Sequence, residues 1–147
     1  MDKDVAGALV RVIANVGIVL GALTILGGLF ILIAGPTVLV AAINFLFGLS
    51  GGSLGETSSL IVSVILEMLI VIGILLLISG IFGIIVAANL MKFKEWARIS
   101  TIVIAALSIL QALIMLFSGG IISLIINGVI LYLLGFNEDI KKLFITQ

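Results

Sequence analysis

The sequence predicts an all-α integral membrane protein, a four-helix bundle with an extracytoplasmic segment that is re-entrant or interfacial. Of the 147 residues, 63% are hydrophobic and 10% are charged, whereas soluble domains usually contain about a quarter charged residues. The apolar residues form runs longer than the roughly 20 residues that cross a bilayer. The seven Lys and Arg residues lie in three short clusters separated by these runs.

The first predicted span covers residues 6–34. Gly35 and Pro36 are expected to end it, because proline disfavours helical geometry in the residue before it. An outer segment follows at residues 36–58. Its apolar part, residues 37–49, is too short to span a bilayer, so we interpret it as re-entrant or interfacial.

Three further spans are predicted at residues 60–90, 97–117 and 120–136, with a turn at residues 118–120 between the last two. The first of these is longer than the hydrocarbon core, so it must tilt or project beyond the bilayer. The last span leads into an amphipathic segment at residues 137–145, which is suited to lying in the membrane interface. Residues 1–147 therefore form a single membrane domain.

The positive clusters orient the predicted spans. With four spans, all the Lys and Arg residues fall on one side of the membrane, and the positive-inside rule makes that side cytoplasmic. We therefore expect a multi-pass protein of the cell membrane with both termini in the cytoplasm. The residues concerned are Lys3, Arg11, Lys92, Lys94, Arg98, Lys141 and Lys142.

Five of these cations are also candidate contacts for anionic lipids. Each Lys or Arg near a negatively charged leaflet contributes about 1 kcal/mol to such an attraction. The orientation of the spans is the alternative explanation, and it is sufficient for their positions. The candidates are Lys92, Lys94, Arg98, Lys141 and Lys142.

Small residues recur at helical spacing on the first two predicted spans. Small side chains let helix backbones approach closely, which is what holds membrane helices together. We interpret these residues as packing surfaces between the two spans, and an interface between copies of the chain is the alternative. They include Gly17, Gly21, Gly28, Gly73, Gly80 and Gly83.

Five polar residues inside the apolar runs are candidate binding residues: Asn15, Glu67, Asn89, Gln111 and Asn127. An amide in a span usually makes an interhelical hydrogen bond, and a polar cavity for a small molecule or ion is the alternative. An intramembrane carboxylate is a functional hypothesis by default. Glu67, however, lies about 37 Å before the next positive cluster along a helix, which places it at or beyond the outer interface, with Gln111 as a neighbour.

Composition argues against several classes of chemistry. The chain has no Cys and no His, which removes thiol nucleophiles, disulfides and the usual zinc sites. Its net charge is zero, so nothing favours binding to nucleic acid. Enzyme motifs such as a glycine-rich phosphate loop or a nucleophile–base pair are absent from the sequence. We therefore expect no catalytic activity and no cofactor.

Three stretches resemble a known type of protein. Residues 94–98 read KEWAR, residues 126–134 read INGVILYLL and residues 137–144 read NEDIKKLF. In these stretches the chain resembles a group of small, uncharacterised prokaryotic membrane proteins with four transmembrane helices. The resemblance covers the second half of the chain but not residues 37–58, and it implies no assigned activity.

The function we expect from the sequence is structural or interactive. The protein would be an accessory subunit or a homo-oligomer, with membrane lipids and other copies or a larger membrane complex as its partners. The alternative is a small transporter, a channel, or a membrane protein that binds lipid or another small molecule through the polar groups between its spans.

Overall fold

The computed structural model describes residues 3–50, 56–114 and 120–145. Within these ranges the fold is all-α. The described part of the chain forms five helices: α1 (Lys3–Ser50), α2 (Glu56–Met91), α3 (Glu95–Ile114), α4 (Gly120–Gly135) and α5 (Glu138–Ile145). The middle of the predicted loop before α2, the last residues of the third predicted span and the start of the predicted turn before α4 lie outside the described residues.

Three of the helices, α1, α2 and α3, are long and apolar enough to cross a membrane. A fourth span results if α4 and α5 are taken together, although the two helices are bent by 59° where they join. Length and composition alone therefore allow three or four spans among the described residues.

Helix α1 does not end at Gly35 and Pro36, as the sequence predicts, but continues through both for a total of 48 residues. The predicted boundary is wrong because the proline ring clashes in part with the Cβ of the preceding residue, and Gly35 has no Cβ. The Thr37 hydroxyl donates a hydrogen bond to the Ala34 carbonyl at 2.8 Å, one turn back. Residues 37–49 consequently extend α1 and do not form a separate segment.

The chain divides into two compact units, which are described separately. The hairpin unit comprises residues 20–82 and contains most of α1 and α2. The five-helix unit comprises residues 1–19 and 83–147 and contains parts of all five helices.

Helices α1 and α2 run antiparallel in the hairpin unit and approach closely at glycines. A Cβ placed on Gly28 would lie 2.9 Å from the Gly73 carbonyl oxygen. A Cβ placed on Gly80 would lie 2.8 Å from the Gly21 carbonyl oxygen. Later residues of α1 thus meet earlier residues of α2, and backbone touches backbone as in other close pairs of apolar helices.

Every helix contributes to the core of the five-helix unit. The apolar side of α5 faces this core, since Ile140 and Phe144 are buried, whereas Phe136, just before the helix, is exposed. The segment predicted to lie in the interface is therefore attached to the other helices by its apolar side. The buried cluster consists of Ala6, Val10, Ala14, Val86, Leu90, Ala97, Leu134, Ile140 and Phe144.

Asn137 sets the start of α5. Its side-chain oxygen accepts hydrogen bonds from the backbone N–H groups of Asp139 at 3.1 Å and Ile140 at 3.2 Å. These are the donors that an N-cap residue satisfies at the start of a helix. The cap begins a new helix directly after α4, and the bend between the two helices turns the apolar side of α5 to the core.

The turn between α2 and α3 has a residue in the left-handed conformation. Phe93 has a φ of 54°, in the region where glycine is common and phenylalanine is not. The N–H of Lys94 bonds to the Asn89 carbonyl at 3.1 Å, and the N–H of Phe93 bonds to the Leu90 carbonyl at 3.0 Å. This pair of bonds is the Schellman motif that closes a helix C-terminus.

The packing of the Phe93 ring offsets the free-energy cost of the left-handed backbone conformation at this residue. The ring meets Phe144 edge to face, with 5.7 Å between the centroids.

We expect Phe93→Ala to destabilise the five-helix unit by more than Phe93→Gly, with a difference of about 1 kcal/mol, because both lose the ring and only glycine relieves the left-handed strain. Detergent denaturation followed by the fluorescence of Trp96, the single tryptophan, measures both. Equal stability of the two variants would show that the left-handed conformation at residue 93 is not strained.

Candidate functional site

An ion pair of the five-helix unit lies at the start of α3. Arg98 lies one turn after Glu95, so the two side chains share a face of the helix, and they form an ion pair. The arginine side chain is only 12% exposed and that of the glutamate 43%. The pair is therefore half-buried. Its structural role depends on the contacts that it makes with other helices.

Arg98 joins α3 to both α4 and α5. Its Nη1 donates to the Leu134 carbonyl at 3.1 Å, in the last turn of α4, where carbonyls have no donor within their own helix. The guanidinium carbon also lies 5.8 Å from the centroid of the Phe144 ring on α5, within range of a cation–π contact. One side chain thus links three helices.

The ion pair leaves two polar atoms without a partner within the described part of the protein. They are the second carboxylate oxygen of Glu95 and the Nε of Arg98. The pair is consequently joined by a single contact, between Nη2 of Arg98 and Oε1 of Glu95, and not by the bidentate arrangement that makes such pairs strongest.

The five predicted lipid contacts all belong to the five-helix unit but differ in their surroundings. Lys92 and Lys94 are exposed in the turn between α2 and α3. Lys141 is half-buried, and Lys142 is exposed in the last turn of α5. The structure gives Arg98 three partners inside the unit, so its charge is directed inward.

The structure places the predicted polar candidates in both units. Asn89 and Asn127 donate to carbonyls one turn earlier in their own helices, those of Ile85 and Ser123, each at 2.8 Å. The other three, Asn15, Glu67 and Gln111, are exposed. Glu67 belongs to the hairpin unit and Gln111 to the five-helix unit.

The predicted packing glycines belong to both units. Gly21, Gly28, Gly73 and Gly80 are buried in the hairpin unit. In the five-helix unit Gly17 lies opposite α2, where a Cβ on it would be 3.1 Å from the Cβ of Ala87.

Gly83 is half-buried. It lies in the five-helix unit, on the stretch of α2 that also carries Ala87.

Sequence reasoning missed Glu95, Phe93 and Phe144 as parts of this site. The three-residue spacing of Glu95 and Arg98 is a usable signal for an ion pair on a helix. Nothing in the sequence indicates the left-handed Phe93 or its ring contact, because both depend on how α5 returns to the turn.

No three acidic, His or Cys side chains within the described ranges are grouped so as to hold a metal ion. Comparisons with protein families, with curated proteins and with solved structures found no match to the chain. Function is therefore inferred from the molecule alone.

Proposed function

We propose that this chain is a multi-pass membrane protein of structural or interaction type, with both termini in the cytoplasm and no catalytic activity of its own. It works by packing its long apolar helices against other copies of itself or against a larger membrane complex. The observation that carries the proposal is the extent of apolar surface along α1.

Residues 12–50 of α1 contain no charged side chain. These 39 residues rise about 58 Å at 1.5 Å per residue. A hydrocarbon core of about 30 Å takes up about 39 Å of helix even at a tilt of roughly 40°. Lipid tails therefore leave part of this apolar helix uncovered. We propose that this part packs against a second protein surface.

The exposed side chains of the hairpin unit support the same proposal. Large apolar groups point outward at the far end of α1, where Phe45 and Leu46 lie, and near the start of α2, where Leu60 and Ile61 lie. Exposed apolar patches of this kind mark interaction sites with proteins or membranes.

Because the chain has no cysteine, single cysteines test the proposal directly. Phe45→Cys, at a side chain that is 67% exposed, is expected to be cross-linked by a bifunctional maleimide in native membranes, giving one discrete product. Ala105→Cys is the matched control, since Ala105 is 2% exposed and should give none. A Phe45→Cys chain that is not cross-linked in native membranes and has the mass of a 15.4 kDa monomer in lipid nanodiscs would refute packing between copies of the chain.

The same method tests the placement of the termini. A membrane-impermeant maleimide should label Gly48→Cys in intact cells and should label Glu138→Cys only after permeabilisation. Both positions are exposed, so accessibility depends on the side of the membrane. Labelling of Glu138→Cys in intact cells would contradict the cytoplasmic C-terminus.

A further inference from the structure

A pocket of about 580 Å³ lies beside the first turns of α1 in the five-helix unit. It combines charged groups from α1 with apolar groups from the turn after α2 and from α5. None of the five predicted lipid contacts lines it. Its walls are Lys3, Asp4, Gly7, Ala8, Arg11, Phe93 and Leu143.

The geometry of α1 separates two cations around an open centre. Lys3, Gly7 and Arg11 follow one another at spacings of four residues and so lie on one face of the helix, with a rise of about 12 Å from the lysine to the arginine. Gly7 places no side chain between them. A Cβ there would lie 3.9 Å from the Cζ of Phe93, so the phenylalanine ring forms the floor below the glycine.

The charge of the pocket favours a singly charged anion. Lys3 and Arg11 contribute two positive charges and Asp4 one negative charge, which leaves a sum of +1 at neutral pH. Both cations are exposed, and within the described residues neither forms an ion pair. A guanidinium matches two oxygens of a phosphate at once, and a lysine supplies a second point charge.

The apolar walls indicate that the anion belongs to an amphiphile. Phe93 and Leu143 are half-buried and border the charged side of the pocket. We propose that this pocket binds the phosphodiester headgroup of an anionic phospholipid, with Arg11 and Lys3 on the phosphate and Phe93 and Leu143 against the carbons next to it. The proposal rests on the membrane location proposed above.

Native mass spectrometry of the full chain in detergent, titrated with phosphatidylglycerol, tests this site. We expect the protein to retain one phosphatidylglycerol and to bind zwitterionic phosphatidylcholine and soluble glycerol phosphate far more weakly. Lys3→Gln with Arg11→Gln should weaken phosphatidylglycerol binding roughly thirtyfold, at about 1 kcal/mol for each charge. Gly7→Leu keeps every charge and fills the pocket, so it should weaken binding to a similar degree.

Lys92→Gln with Lys94→Gln is the comparison, because it removes two exposed cations that lie outside the pocket and that the sequence also offers as lipid contacts. We expect it to weaken phosphatidylglycerol binding clearly less than the Lys3 and Arg11 double variant does. An equal loss in this comparison variant and in the Lys3 and Arg11 double variant, or unchanged binding by Gly7→Leu, would overturn the site. Equally tight binding of glycerol phosphate would overturn the assignment to a lipid. Membrane cross-linking of Phe45→Cys does not depend on this pocket, so the two proposals fail separately.

Discussion

Gly28→Ala is expected to destabilise the hairpin unit by about 2 kcal/mol, because its new methyl group has no space. The added carbon would lie 2.9 Å from the Gly73 carbonyl oxygen and 3.1 Å from the backbone nitrogen of Leu77. An ordinary carbon–oxygen contact is about 3.3 to 3.6 Å. Backbone atoms cannot rotate away as a side chain can, so α1 and α2 must separate and lose contacts along their length.

Gly27→Ala is the control for this change. Gly27 is the preceding residue on the same helix, and apart from the nearby backbone of that helix a Cβ there would meet no atom within 4 Å. Alanine is the better helix former by roughly 0.5 to 1 kcal/mol, so this variant should be as stable as the wild type or slightly more stable. Thermal unfolding in detergent, followed by circular dichroism, compares the two. Equal melting temperatures for Gly28→Ala and Gly27→Ala would show that the helices do not pack at Gly28.

Gly80→Ala should behave like Gly28→Ala, since its Cβ would lie 2.8 Å from the Gly21 carbonyl oxygen. Gly73→Ala should cost less. Its Cβ would clash with the side chain of Leu32, at 2.6 Å from Cγ, and a leucine side chain can change rotamer. The order of the decreases in melting temperature among these variants shows which glycines contact the backbone of the other helix and which contact only a side chain.

Arg98→Met is expected to destabilise the five-helix unit by about 2 kcal/mol. The change removes the ion pair with Glu95, the hydrogen bond to the Leu134 carbonyl and the contact with Phe144. Breaking a fully buried pair costs about 3 to 5 kcal/mol, and the exposure of Glu95 reduces the loss here. Detergent denaturation followed by Trp96 fluorescence measures it.

Two further variants separate the contributions of Arg98. Glu95→Gln keeps an acceptor for the guanidinium and should cost less than Arg98→Met, since the bond to Leu134 survives. Arg98→Lys keeps the charge but lacks the planar fork, so it should fall between the wild type and Arg98→Met. If Arg98→Met were as stable as the wild type in lipid-free detergent, Arg98 would not stabilise the five-helix unit. Its prediction as a lipid contact would then be the better interpretation.

The sequence predicted the all-α fold and the approximate positions of the helices, because runs of apolar residues interrupted by charge are a local signal. It failed at Pro36, where the general rule for proline is outweighed by the missing Cβ of Gly35. It named Arg98 as a candidate lipid contact and did not reveal its internal partners, since charge patterning gives a position along the chain and not the residues that folding brings close. The pocket at Lys3 and Arg11 needs Phe93 and Leu143 from distant segments, which no local pattern contains.

The division into two units also imposes an order on biosynthesis. The hairpin unit is complete once residue 82 has been made, so its contacts can form while the ribosome is still translating. The core around Ala6 and Val10 must wait until Ile140 and Phe144 have been made. Contacts between residues so far apart in the chain are slow to form. The five-helix unit, which carries most of the charges, is therefore completed after the glycine-packed hairpin unit.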